Sequence, residues 1–314
     1  MAPRSDAGTP EVVVVGAACL DVKARLRGDT VAATSNPGDV RISVGGCARN
    51  MAENLARLGM QTALISVVCP DDFGQTIISQ TRRAGVITDY ILEICDQHSA
   101  AYIALYGPHG QLLVGVDDTE PIAALTPAVI AAHRGLLAGA RMVLMDANVP
   151  LPAAQTLLAI CQAAGVPVAL DPAAYGPALR YRPLIGSFAL VVPNSIEAQA
   201  LTGMPVASVT QGIAAARQLV AAGVSVAIIT MAEAGLVYAT RDSSGYVPAI
   251  DVEVLDPTGA GDALTAAVVY ALLNDIPVDE AVRLGVSAAT LTLDSPDTVR
   301  QDLSLESLYA QLVI

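Results

Sequence analysis

Four consecutive valines, Val12-Val13-Val14-Val15, run into Gly16 near the start of the chain and constrain its fold more than any other stretch. Successive side chains of a strand point to opposite faces, so a strand that is apolar at every position must be buried on both. Such a strand sits in the middle of a parallel sheet with helices over each face. The rest of the chain carries the elements this requires. Strand-like runs over 62–68, 90–94, 142–145, 168–170, 190–192 and 225–230 alternate with helical patterns over 45–59, 71–83, 127 to about 138, 152–164 and 281–293. Strands followed by helices imply right-handed crossovers within one sheet, hence an α/β fold. With 314 residues, 53% of them apolar, the chain can bury a core of that size. Open sheets of this kind bind ligands beyond the carboxyl ends of their strands, where Asp21 follows the valine strand.

Two stretches break the rhythm. Residues 22–43 carry short alternating runs with turns at Gly28-Asp29 and Asn36-Pro37-Gly38, and runs over 100–106 and 111–116 flank Gly107-Pro108-His109-Gly110. Both predict antiparallel strands outside the main sheet. The chain therefore divides into a core of 1–21, 44–99 and 117–314 and a small sheet of 22–43 and 100–116, with Asp118 where the second hairpin strand returns to the core. Ile103, Leu105, Leu112 and Val114 would leave that sheet with an apolar surface, which predicts a homodimer formed through it.

Composition excludes several functions. A formal net charge of -13, 4% aromatic residues and no Trp argue against a nucleic-acid partner. Cys19, Cys47, Cys69, Cys95 and Cys161 are scattered, odd in number and free of any CxxC, so they read as buried thiols of a reducing compartment. His98, His109 and His133 are equally dispersed and suggest no metal cluster. Lys23 is the only lysine, which removes the GxxxxGK[ST] loop and the strand lysine of protein kinases. No GxGxxG follows the valine strand, against a dinucleotide-dependent dehydrogenase. Residues 1–10 lack a signal-peptide pattern and the apolar run after them is too short to span a bilayer, so a frayed, cytoplasmic N-terminus and no membrane partner are expected.

The chemistry concentrates in Asp256-Pro257-Thr258-Gly259-Ala260-Gly261-Asp262-Ala263, which follows an alternating, strand-like run and opens an apolar helical segment to about Asn274. A Gly-rich turn that feeds a helix aims unpaired N–H groups and a positive dipole end at an anion. The amides of Gly259, Ala260 and Gly261 could hold a moving phosphoryl group while Asp262 takes the proton of an attacking hydroxyl. An ordinary tight turn with a dipole-complementing Asp is the simpler reading of a bare GxGD. The full string, however, resembles the second signature of the PfkB/ribokinase family of sugar and nucleoside kinases. Gly45-Gly46 with Ala48-Arg49-Asn50-Met51-Ala52-Glu53-Asn54 resembles its first.

That resemblance implies a ribokinase-like, three-layer α/β/α core with a mainly parallel sheet, and makes the small sheet a β lid that keeps water from the reaction. It implies ATP and Mg²⁺ as cofactors and Asp262 as general base. Asp21, Gly45, Gly46, Asn50 and Asp118 would contact the sugar. Arg49 would steer phosphate where many relatives carry a basic or polar residue at Cys47, or stand as a solvated first-turn side chain. Asn194 and Glu197 would lie by the nucleotide phosphates, Glu197 reaching Mg²⁺ through water; the same spacing fits an N-cap and its capping-box partner. Thr230, Gly235, Thr258 and Thr298 would contact nucleotide, and K⁺ or another monovalent cation would lie between the 294–299 loop and Asp256. Within the family the likeness is greatest to members that phosphorylate pseudouridine, through the first signature, residues 112–118, Asp171-Pro172, the Pro193 motif and residues 298–304. It implies the 5′-hydroxyl of pseudouridine as acceptor. Kinases of ribose, fructose or purine nucleosides, and a binding regulator without catalysis, are the alternatives.

Overall fold

A computed structural model describes residues 10–94 and 98–312; the expectation for the N-terminus falls on residues 1–9, outside them. Thirteen strands are present among the described residues: β1 (Val12–Val15), β2 (Cys19–Leu26), β3 (Gly38–Gly45), β4 (Thr62–Val68), β5 (Ile91–Glu93), β6 (Ala101–Tyr106), β7 (Leu112–Asp118), β8 (Met142–Asp146), β9 (Val168–Asp171), β10 (Leu190–Val191), β11 (Val226–Thr230), β12 (Leu236–Thr240) and β13 (Ser244–Val247). Nine of them form one sheet in the order β13-β12-β11-β10-β9-β8-β1-β4-β5. Pairing is parallel from β5 to β11, and β12 and β13 add an antiparallel edge.

The valine strand lies inside this sheet, parallel to β4 and β8, with all four side chains fully buried. Val13 and Val15 join the core with helices Pro127–Ala132, Leu151–Ala164 and Val209–Ala221, whereas Val12 and Val14 face helices Cys47–Arg57, Asp72–Arg83 and Ala260–Leu273. Burial on both faces thus draws on one continuous apolar run, each side chain contributing about 1.5–3 kcal/mol.

Several expectations need correction. The helix expected from 127 to about 138 is two, Pro127–Ala132 and Arg134–Gly139, broken at His133, whose Nδ1 lies 2.8 Å from the Val129 carbonyl. The run before Asp256 is not a strand; Pro248 ends β13 by withholding an N–H, and residues 248–255 cross irregularly, with Leu255 N–H bonded to the Leu293 carbonyl. The hairpin β12–β13 that precedes it was not expected. Finally, Cys69 at the end of β4 is disulfide-bonded, not a thiol, because bridging requires proximity in space and no particular sequence spacing. Cys19, Cys47 and Cys161 are free thiols, and Cys95 lies outside the described residues.

The remaining strands form a second sheet in the order β3-β2-β6-β7. It is not purely antiparallel as expected: β2 and β6 pair in parallel, which the long α/β connection between them permits. Register divides the sheet by chemistry. Ser43, Asp21, Tyr102 and Asp117 lie across one face, with Arg41, Lys23 and Ala104 in the next row. The other face carries Ile42, Val22, Ile103 and Val116, then Val40, Ala24, Leu105 and Val114. Val40, Ile42, Ile103, Val114 and Val116 are exposed, Ile42 at 66%. No helix among the described residues is long and apolar enough to cross a membrane.

Candidate active site

Two helix beginnings meet a strand of the second sheet at the carboxyl edge of the main sheet. Asp262 lies in the first turn of the Ala260–Leu273 helix and is only 7% exposed. Asn50, early in the Cys47–Arg57 helix, donates from Nδ2 to Asp262 Oδ2 at 2.8 Å. Burial pushes the Asp262 carboxyl up to about 7; the Asn50 hydrogen bond and Arg49 pull it down, while Asp146 and Asp21 add to the rise. A carboxylate poised there exchanges protons near neutral pH, which is what a general base must do.

The turn before it is held by shape. Gly259 is the N-cap with φ 87°, and a Cβ there would lie 2.0 Å from the Thr298 carbonyl oxygen, so only glycine fits. The first N–H groups of the following helix have no intrahelical acceptor and point out of its N-terminus. Asp21, on β2 and 3% exposed, lies across Gly45, where a Cβ would come within 2.2 Å of its Oδ2. Burial raises its carboxyl, and a 3.2 Å hydrogen bond from the Cys19 thiol, with Lys23 and Arg49, opposes the rise. The structure therefore brings Asp21, Gly45, Gly46, Asn50, Asp262 and the Gly259–Gly261 turn together.

Arg49 departs from both of its expected roles. It is 4% exposed, so it is neither solvated nor free to steer phosphate. Its guanidinium pairs with Glu53 and donates to Asn50 Oδ1 at 3.1 Å and to the Val44 carbonyl at 3.3 Å. By engaging Asn50 Oδ1 it turns the Asn50 NH₂ toward Asp262. Asp118 also departs. Strand alternation places it on the face opposite Asp21, 3.6 Å from His98 Nε2, while Asp117 shares the Asp21 face through Tyr102.

Asn194 and Glu197 form a complete capping box: Asn194 Oδ1 accepts from the N–H groups of Ile196 and Glu197, and Glu197 accepts from the Asn194 N–H and Nδ2. The arrangement holds them beside Thr230, whose N–H bonds to the Pro193 carbonyl at 2.9 Å, and β12 begins just beyond Gly235. Two carboxylates that each end an apolar strand were not among the expected site residues, Asp171 having entered only through the Asp171-Pro172 likeness. Asp146, fully buried at the end of β8, accepts from the N–H groups of Ala17, Ala48 and Asn148 and so joins the β1–β2 turn to the Cys47 helix. Asp171, at the end of β9, is raised well above the usual carboxylate range by burial and by the charges of Asp262 and Glu197. Among the described residues, no three His, Cys, Asp or Glu side chains stand close enough to hold a metal directly.

Asp256 and Thr298 meet at Lys23. The lysine Nζ lies 2.7 Å from Asp256 Oδ2 and 3.2 Å from Thr298 Oγ1, and the Thr258 N–H donates to Asp256 Oδ1 at 2.9 Å. A cleft of about 840 Å³ opens above this group, with Lys23, Arg25, Arg41, Tyr106 and His109 on the second sheet's side. Asp262 is not among the residues that line this cleft.

Residues 9–303 match the family described as pfkB family carbohydrate kinase. The chain is 29% identical to the pseudouridine kinase of Escherichia coli over 300 residues, 95% of each chain. It is 27% identical to the guanosine-inosine kinase of Exiguobacterium acetylicum over 289 residues, 91% of this chain and 95% of that one. Its backbone superposes on the structure of Arabidopsis thaliana ribokinase complexed with ribose and ATP with a TM-score of 0.84 at 22% identity, covering 98% of this chain and 99% of that one; the fold is ribokinase-like.

The Asp262 shift has a consequence for stability. Its folded carboxyl titrates at about 7, above the ordinary value, so the stability it contributes is full in acid and is lost as pH rises through the folded value. Asp262→Asn keeps an acceptor for Asn50 without the charge. Its thermal midpoint should match wild type near about pH 4 and exceed it near about pH 8. Parallel midpoint curves for the two proteins would contradict the buried-charge assignment.

Proposed function

The chain belongs to the pfkB family of carbohydrate kinases and is a sugar or nucleoside kinase, and from that premise we propose that it transfers the γ-phosphoryl group of ATP to the 5′-hydroxyl of pseudouridine. The observation that carries the phosphoryl-transfer reading is Asp262, buried, oriented by Asn50 and standing at the head of the Gly259–Gly261 turn. The acceptor rests on the 29% identity to a pseudouridine kinase across nearly the whole of both chains. Purine nucleosides are the second reading, favoured by the guanosine-inosine kinase likeness.

In this reading Asp21, Gly45, Gly46 and Asn50 hold ribosyl hydroxyls, with Asp117 as a further contact from the second sheet. Asp262 accepts the hydroxyl proton as that oxygen bonds to the γ-phosphorus. The bond to the bridging oxygen breaks, and ADP departs with its electron pair. The amides of Gly259, Ala260 and Gly261 bind the equatorial oxygens as their charge shifts. Asn194, Thr230, Gly235, Thr258 and Thr298 line the nucleotide side. Glu197 and Asp171 carry carboxyls raised by burial, that of Asp171 also by the charge of Glu197, a donor set that suits Mg²⁺ held through water. Bound there, the ion would neutralise phosphate charge. The second sheet acts as the lid, and its apolar outer face packs on the same face of a second copy. An ATP-consuming enzyme of this kind fits the cytoplasm.

ADP release with a panel of pseudouridine, uridine, guanosine, inosine, adenosine and ribose tests the acceptor. Pseudouridine should give the highest kcat/KM; a preference for guanosine or ribose would replace it. With the true acceptor, Asp262→Asn should lower kcat about 10²- to 10⁴-fold with a folded protein and little change in ATP affinity. In wild type, kcat/KM should rise with pH through a midpoint near about 7, because the base works deprotonated.

The dimer has its own test. Light scattering at micromolar concentration should give twice the chain mass, and Ile42→Asp with Val114→Asp should give monomers. A monomeric wild-type protein would remove the shared lid.

A further inference from the structure

The resemblance that assigns Asp256 to a monovalent cation meets a chain whose only lysine is already there. Lys23 Nζ takes Asp256 Oδ2 at 2.7 Å, the Thr258 N–H takes Oδ1 at 2.9 Å, and Thr298 Oγ1 completes the ammonium's contacts at 3.2 Å. The side chains of Lys23 and Asp256 are only 9% and 14% exposed, so this is an internal ion pair and not a surface one. Both Asp256 oxygens are engaged and the one unit of positive charge is present. An added potassium ion would have to displace the ammonium or stand beside it, against like-charge repulsion in a poorly solvated place. The donor set does not fit a bound cation.

Placement gives the ammonium a task. Asp256 and Thr258 lead into the Gly259–Gly261 turn, and the carbonyl of Thr298 is the atom against which Gly259 packs. Lys23 therefore ties together the two segments that set the position of this turn. It does so from β2, two residues beyond Asp21 and on the same sheet face. We propose that Lys23 is a tethered monovalent cation, an ammonium that positions the anion-binding turn in place of a bound potassium ion and so frees the enzyme from any requirement for one. The inference rests on reading that turn as the phosphoryl-binding element. It makes Lys23 a positioning residue acting through Asp256 and Thr298.

The test compares wild type and Lys23→Met in potassium, ammonium, sodium and choline chloride at equal ionic strength, following ADP release and thermal midpoint. Wild type should give the same turnover and midpoint in all four salts. Lys23→Met should lose about 10- to 100-fold in turnover in choline, with a lowered midpoint, and regain both saturably in potassium or ammonium. Saturable activation of wild type by potassium would overturn the proposal. So would a Lys23→Met protein as active as wild type in choline, or one whose lost turnover no cation restores. Should Lys23→Met fail to fold, the wild-type salt series decides alone. The midpoint series needs no acceptor, so an absence of turnover with every acceptor would count against the acceptor reading and leave the cation inference to be judged by the midpoints.

Discussion

A carboxylate removed from water must find donors, a counter-charge or a proton, and this structure places five of them around one edge of a sheet. Each is handled differently. Asp146 takes three backbone N–H groups and becomes part of the frame. Glu197 is held by Asn194 in a helix cap. Asp21 has Cys19, and the positive charges of Lys23 and Arg49 act on it. Asp171 accepts from the Ala173 N–H, and burial together with the charges of Asp262 and Glu197 raises it well above the usual carboxylate range. Asp262 has one side-chain donor, Asn50, and burial pushes its carboxyl up to about 7. A carboxyl raised to about 7 can exchange a proton near neutral pH.

Keeping it there depends on parts that do not touch it. Arg49 is the clearest case: its guanidinium is used up by Glu53, Asn50 and the Val44 carbonyl, and the result is that the Asn50 amide can present only its NH₂ to Asp262. Removing Arg49 would leave Glu53 buried beside Arg57 alone and release the Asn50 amide to rotate. A cation in the first signature therefore influences Asp262 through geometry and also through its field on the carboxyl.

The fold was readable where burial imposes a pattern on consecutive residues. Val12–Val15 reveals a strand with two covered faces, and the Gly259–Gly261 turn and its helix are written in local spacing. Contacts that join distant segments were not readable. Adjacent carboxylates at 117 and 118 look alike in sequence, and only the pairing of β6 with β2 decides which faces Asp21. Arg49 reads from the sequence as a phosphate-steering or a solvated first-turn side chain, although the 49, 53, 57 spacing with Glu53 between two arginines marks a shared ion pair. Lys23 and Asp256 lie 233 residues apart, and nothing local to either announces the other. The run before Asp256 shows the opposite failure: alternation suggests a strand, but a strand also needs a neighbour with free N–H and C=O groups, and residues 248–255 join no ladder.

The two-faced second sheet links these observations. In a strand with a period of two, shifting β2 by one residue would turn Asp21 and Lys23 outward and bring Val22 and Ala24 to the site, so a single register specifies both the charged inner face and the apolar outer one. Asp21 and Lys23, two apart on one strand, must then move as a unit. The strand that carries a buried carboxylate across Gly45 is fastened through the lysine to the segment that leads into the Gly259 turn. A freely bound ion could hold that segment without reporting where β2 is. An ammonium on β2 cannot, because its four-carbon stem reaches Asp256 only when the second sheet lies against the core. The Lys23–Asp256 contact is in this way conditional on the second sheet lying against the core.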